Sequence, residues 1–242
     1  MYIAILMDIL NINNRPGLKK ALMTGCALVF ITLAANGAEG FRSEFVNEKV
    51  GRPDWLSVYT HLSGLVQVKL APVEGQPFTH AATVEMMSAL PDSVAGKGTY
   101  MRSRAISAGS NQFAVEWSEN IHPDIAGPQF ELWGEVGKNP NEYSRLLLRL
   151  FRKAEGPALQ PGSAPLVQVE PGWRRFKIVV SAQENTFDLY YEDMERAVAT
   201  GLPLQETIES TERLGIGFVW YLSPNTPITQ WQVGGISLLP LP

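Results

Sequence analysis

Two carboxylates, two guanidiniums and an indole fall on one side of a single hairpin in this 242-residue chain. The first strand reads Gln129-Phe130-Glu131-Leu132-Trp133-Gly134-Glu135-Val136-Gly137. Side chains alternate across a strand. Gln129, Glu131, Trp133 and Glu135 therefore share one face, and Phe130, Leu132, Gly134 and Val136 the other. Residues 138–142, Lys-Asn-Pro-Asn-Glu, are turn formers. On the return strand Tyr143, Arg145, Leu147, Arg149 and Phe151 alternate with Ser144, Leu146, Leu148 and Leu150. A register that pairs Phe130 with Leu150 also pairs Leu132 with Leu148 and Gly134 with Leu146. On the polar face it sets Glu131 against Arg149, Trp133 against Leu147 and Glu135 against Arg145. One register thus satisfies both faces, which is how an alternating pattern fixes pairing.

These side-chain types suit a sugar. Carboxylates and guanidiniums hydrogen-bond hydroxyls, and a flat indole stacks on the C–H face of a ring. The expected ligand-binding set is Glu131, Trp133, Glu135, Arg145 and Arg149, with Tyr143 at the rim. The plainer alternative is a solvated sheet finished by cross-strand ion pairs, each contributing roughly 0.2–1 kcal/mol. Glycoside hydrolysis is a third reading. It requires two carboxyl groups about 5–5.5 Å or roughly 6.5–9.5 Å apart. Glu131 and Glu135 are four residues apart along one strand, about 13 Å. Each also faces an arginine, which disfavours the protonated form that a general acid needs. Sandwich glucanases carry Glu-x-Asp-x-Glu on such a strand, and here the central position is Trp133. The expectation is a binding module and not an enzyme.

Other chemistry finds little support. His61, His80 and His122 are scattered, with no helix-type pair for zinc. No nucleophile elbow and no phosphate-binding glycine loop occurs. Asp92, Asp124, Asp188 and Asp193 lie in or near turns, where capping accounts for them. No cofactor is expected; calcium is left open, with no site assigned.

The elements that must position the hairpin are also strands. Short alternating runs cover 65–73, 82–89, 100–107, 112–118, 129–137, 143–153, 166–169, 173–182, 186–192, 215–222 and 230–239, separated by Gly, Pro, Asn and Asp. About eleven strands at this spacing predict an all-β antiparallel sandwich or barrel. Residues 210–214 suggest a helical turn, and 154–165, rich in Gly, Pro and Ala, a long loop inserted between strands. The chain is 45% hydrophobic and 18% charged, enough to bury a core.

Residues 1–37 read as a secretory signal peptide, leaving 38–242 as one domain. Arg15, Lys19 and Lys20 precede an apolar run from Ala21 to Ala35, and small residues follow. Met23-Thr24-Gly25-Cys26 resembles a lipobox, but the apolar run continues past the cysteine where it should precede it. The run is shorter than the roughly 20 residues that span a bilayer. Export to the periplasm, the cell surface or the medium is the expectation. Cys26 is the only cysteine, so the chain beyond 37 has no disulfide or thiolate site. Net charge is −4; the first 37 residues carry three cations against Asp8, so the remainder stands at −6. That balance argues against nucleic acid and anionic membranes as partners.

Trp173-Arg-Arg-Phe-Lys-Ile-Val-Val, followed by Asn185-Thr-Phe-Asp-Leu-Tyr-Tyr-Glu-Asp, resembles the second half of concanavalin A-like, laminin-G-like jelly rolls. Those domains often carry a tryptophan entering a strand, then a strand ending in Leu-Tyr and an acidic turn. The matching residues are Trp173, Leu189, Tyr190, Glu192 and Asp193. Strands at 214–220 and 231–239 are similar to their closing pair. Where such domains often have an Asp-Asn or Asp-Asp pair in the last strand, this chain has Val233-Gly234-Gly235-Ile236. The resemblance implies a two-sheet jelly roll with a concave sheet, with a galactose-binding-like jelly roll as the alternative. It implies a family used for glycan binding, glycan cleavage and adhesion. A lectin-like module recognising a polysaccharide or glycan is therefore the first expectation, a glycoside hydrolase or lyase the second, and an adhesion domain the third.

Overall fold

In the computed structural model the described residues are 41–43, 56–60, 65–88, 98–103, 105–123, 128–136, 144–152, 158–161, 166–221 and 230–242. They form fifteen strands, numbered along the chain, and no helix. The expected signal segment, Tyr143 and the hairpin turn lie outside these residues. The strands all belong to one unit, Gly40–Pro242.

Every pairing is antiparallel, and the strands make two sheets, as the alternation predicts. The eight-stranded sheet runs β13 (Ala197–Pro203), β12 (Thr186–Tyr191), β11 (Gly172–Ser181), β6 (Gln112–Ile121), β15 (Gln230–Pro240), β4 (His80–Met86), β3 (Val66–Pro72). The short β1 (Phe41–Ser43) continues the β4 side of β15 beside Ile236–Leu238. The seven-stranded sheet runs β10 (Val167–Gln168), β9 (Ala158–Pro161), β8 (Arg145–Arg152), β7 (Gln129–Gly134), β14 (Gly215–Tyr221), β5 (Gly98–Ser103), β2 (Leu56–Thr60).

Four of these strands escaped the sequence reading. β1 and β2 lie ahead of the first expected run. β9 falls inside the expected loop 154–165, and β13 carries a weak pattern broken by Gly201 and by two register shifts against β12. The expected helical turn at 210–214 is a set of bends ending in a bridge between Ile106 and Leu214.

The inner faces meet through aromatic rings. Trp117 on β6 stacks on Phe130 of β7, centroids 4.2 Å apart and planes 5° from parallel. It also stacks on Phe176 of β11 at 5.3 Å and meets Phe218 of β14 edge-on at 6.1 Å. Such pairs contribute about 0.5–1.5 kcal/mol each beyond the area they bury. This contact locks the parity of β6, β7, β11 and β14. With Trp117 inward, Glu116 and Ser118 must face out; with Phe130 and Leu132 inward, so must Glu131 and Trp133.

β15 kinks where its register against β6 shifts between Gly234 and Ser237. Gly235 has φ of 59°, a conformation open mainly to glycine. The ring of Phe78, from the β3–β4 connection, seats against this kink and is buried. A Cβ on Gly234 would fall inside that ring's van der Waals envelope, and one on Gly235 would lie 2.8 Å from it. The Gly-Gly pair therefore exists to let the connection fold down. Gly234→Ala is expected to lower the unfolding free energy by about 1–3 kcal/mol, the usual cost of overpacking; urea denaturation reads this directly.

Candidate functional site

On the outer face of the seven-stranded sheet one row of residues crosses four strands: Arg102 of β5, Gly217 of β14, Glu131 of β7 and Arg149 of β8. Glu131 has no solvent-exposed surface. Its Oε1 accepts from Arg149 Nε at 2.9 Å and lies 2.6 Å from Arg149 Nη2. Its Oε2 accepts from the Trp133 indole N–H at 2.9 Å and from Arg102 Nη2 at 3.5 Å. Trp133 reaches it because residues two apart on a strand share a face.

Arg102 reaches Glu131 because the strand between them presents glycine. A Cβ on Gly217 would stand 3.4 Å from Arg102 Cγ and 3.6 Å from Glu131 Cβ. The guanidinium of Arg102 then lies between two rings, 4.9 Å from the Tyr100 centroid and 5.2 Å from that of Trp133. Arg149 lies 5.7 Å from the ring of Phe151. The outer face thus presents a strip of rings and guanidiniums, both arginine side chains about a quarter exposed at 24%, over a dehydrated carboxylate.

The expected pairing of Glu131 with Arg149 is observed, with Phe130 opposite Leu150 and Leu132 opposite Leu148. Beyond Leu132 the register shifts by one. Trp133 faces Leu146, not Leu147, and Gly134 faces Arg145. The extra residue is Leu147, which turns inward beside Leu148, so both are buried in the core. This bulge corrects the expectation that Leu147 shares the outer face. Glu135 lies past the end of β7 with φ of 52°. It still approaches Arg145, at 3.9 Å.

Arg145 is a second centre. It lies 2.7 Å from Glu209 and 3.5 Å from Glu206, and donates to the Thr207 carbonyl at 3.3 Å. The hydrogen bond from Arg145 holds the Glu209 carboxyl below its ordinary value, and Glu209 in turn pushes the guanidinium up. These groups are solvent-facing, so the pairs add little stability.

Sequence reasoning missed Arg102, Tyr100, Glu206 and Glu209, all brought in by strands or loops that are distant along the chain. The one available signal was Gly215-Ile216-Gly217 inside a strand, since interior glycines mark close approach of a neighbour. Among the expected turn carboxylates, Asp193 Oδ1 accepts from the N–H groups of Glu195 and Arg196, and Asp188 Oδ1 from that of Gly201. Asp92, Asp124 and His61 lie outside the described residues. Among the described residues, no three of His, Cys, Asp and Glu converge as a metal site, and no helix is long and apolar enough to cross a membrane.

No family model matches this chain, and no curated protein matches it. Solved structures do. A sialidase superimposes with a TM-score of 0.55 at 10% identity over 84% of this chain; the chain spans 18% of that protein's length. The carbohydrate recognition domain of Emp47p superimposes with a TM-score of 0.50 at 10% identity, over 82% of this chain and 94% of that one. Lectin II from Ulex europaeus is aligned over 84% of this chain and 99% of its own, at 13% identity and a TM-score of 0.49. The fold is a two-sheet antiparallel β-sandwich of the concanavalin A-like, jelly-roll kind.

Two predictions follow from the charges. Arg149→Met leaves the buried Glu131 carboxylate short of its closest partner and is expected to cost about 3–5 kcal/mol in denaturant unfolding. Glu131→Leu combined with Arg149→Met should recover most of that loss, because an apolar pair needs no dehydration of charge. For Glu209 the folded-state carboxyl titrates below its unfolded value. Its contribution is complete above the ordinary glutamate value and disappears as pH falls through the folded one. Glu209→Gln should therefore lower the melting temperature slightly at neutral pH, leave it unchanged once pH is below the folded-state value, and so flatten the acid limb of the profile.

Proposed function

We propose that this chain is an exported, lectin-like module that binds a glycan on the outer face of its seven-stranded sheet. The observation that carries the reading is the strip of Tyr100, Arg102, Trp133 and Arg149 held from below by the buried Glu131 carboxylate. Affinity for a sugar depends on groups that need no reordering when it arrives. Here the indole N–H and both guanidiniums are already fixed by one carboxylate. The ring of Trp133 supplies a stacking surface, and the guanidinium edges supply donors to hydroxyls. Glu131 contributes through the side chains it positions, since both of its oxygens are occupied and neither is exposed. Arg145 and Glu135 extend the polar surface.

Emp47p's carbohydrate recognition domain has this fold. Fold alone does not select a function, so the side-chain set carries the argument. A catalytic reading is less well supported by the same geometry, because Glu131 has no surface from which to reach a substrate.

The test is a glycan array probed with the purified full chain and with Trp133→Ala. Binding to at least one glycan is expected, weakened about tenfold, or about 1.4 kcal/mol, in the variant. No binding by the unaltered chain would overturn the proposal. Release of new reducing ends from a bound glycan would move the chain to the degradative class.

A further inference from the structure

The opposite sheet holds a cavity that none of the hairpin chemistry uses. It has a volume of about 170 Å³ and lies where β11, β6 and β15 run side by side. Its polar lining is Glu116 and Ser118 of β6, Arg175 of β11 and Ser237 of β15; its apolar wall is Pro77 and Phe78. The cross-strand pairs Ser237–Glu116 and Ser118–Arg175 place these groups on adjacent rows of one face. Phe78 is held rigidly, seated on the Gly234–Gly235 kink and edge-on to Trp173 at 5.3 Å.

What distinguishes this cavity is unused bonding capacity. Buried polar groups almost always find partners. Ser118 and Ser237 are only 6% and 4% exposed, yet among the described residues neither hydroxyl makes a hydrogen bond. Glu116, half-buried, and Arg175, exposed, make no side-chain hydrogen bond or ion pair among the described residues either. Lys177 stands opposite Glu116 on β11, but its ammonium is drawn away to the Met194 carbonyl and the ring of Tyr190, 4.0 Å from the centroid. On the seven-stranded sheet Glu131 is bonded through both oxygens to the side chains around it; the carboxylate of this cavity is not so engaged.

We infer that this cavity is a second ligand site, which takes one neutral sugar ring. The charge count selects a neutral ligand, since one carboxylate and one guanidinium balance. A carboxylate accepts from the two hydroxyls of a vicinal diol, a guanidinium donates to ring and hydroxyl oxygens, and two serines serve as either partner. The phenyl ring and proline offer an apolar wall to the C–H face. The volume is below the ~300–1,000 Å³ that encloses drug-sized ligands, which limits occupancy to one ring. This inference rests on the reading of the chain as a glycan binder but uses separate residues on the other sheet.

The experiment is a two-dimensional amide NMR titration of the full chain with methyl α-glucoside, methyl α-galactoside, methyl α-mannoside and methyl β-N-acetylglucosaminide. At least one is expected to give saturable shifts at Glu116, Ser118, Arg175, Gly235 and Ser237. Glu116→Gln should weaken that binding by about tenfold, the loss of a charged hydrogen bond. Ser237→Ala, which keeps the packing, should weaken it in the same direction, and Trp133→Ala should leave it unchanged. Absence of shifts with all four glycosides, or undiminished binding by Glu116→Gln, would overturn the inference. Shifts confined to the Trp133 surface would overturn it while leaving the hairpin proposal standing. Shifts at the cavity in a chain that fails on the array would do the reverse.

Discussion

Removing a carboxylate from water costs several kcal/mol even after the protein relaxes. Glu131 meets that cost in the middle of a sheet, and the surrounding strands are arranged accordingly. Arg149 approaches from β8, Arg102 crosses β14 over the bare Gly217, and Trp133 turns its indole N–H down from the same strand. Four adjacent strands are joined at one point. The two rings and two guanidiniums above it are consequently fixed in orientation before any ligand arrives. The same parity is imposed from the other side of the sheet by the Trp117 stack on Phe130. Core packing and outer-face electrostatics therefore specify one register together.

The two sheets differ in how their outer faces use polar groups. The seven-stranded sheet closes its charges on one another and exposes rings and guanidinium edges. Among the described residues, the side chains of Glu116, Ser118, Arg175 and Ser237 on the eight-stranded sheet make no hydrogen bond or ion pair, and they surround a small cavity. The Gly234–Gly235 kink connects this difference to the sequence. Two adjacent glycines there admit Phe78 and so build the cavity wall.

Much of this was legible in the sequence wherever the signal is local. Alternation located eleven of the strands and paired Glu131 with Arg149. It failed at Leu146-Leu147-Leu148, because three consecutive leucines do not say which one is doubled, and the bulge at Leu147 follows from packing against Gly134. It missed β9 and β13, whose glycine and proline content weakens the pattern that tertiary pairing then overrides. Arg102 was invisible for a different reason. Its partner is 29 residues away and reached through a strand later in the chain than either. Non-sequential neighbours, and hence the cavity, are set by topology, which no local period encodes.

The account turns on Glu131 fixing the Trp133 indole by its N–H while leaving the ring to a ligand. Hydrogen exchange of the Trp133 Nε1–H, followed by NMR in the full chain, tests that most directly. The account predicts strong protection of this one proton, persisting when a bound glycan shifts the ring C–H resonances. Exchange at the rate of a solvent-exposed indole would contradict it, because the carboxylate would then not be holding the ring.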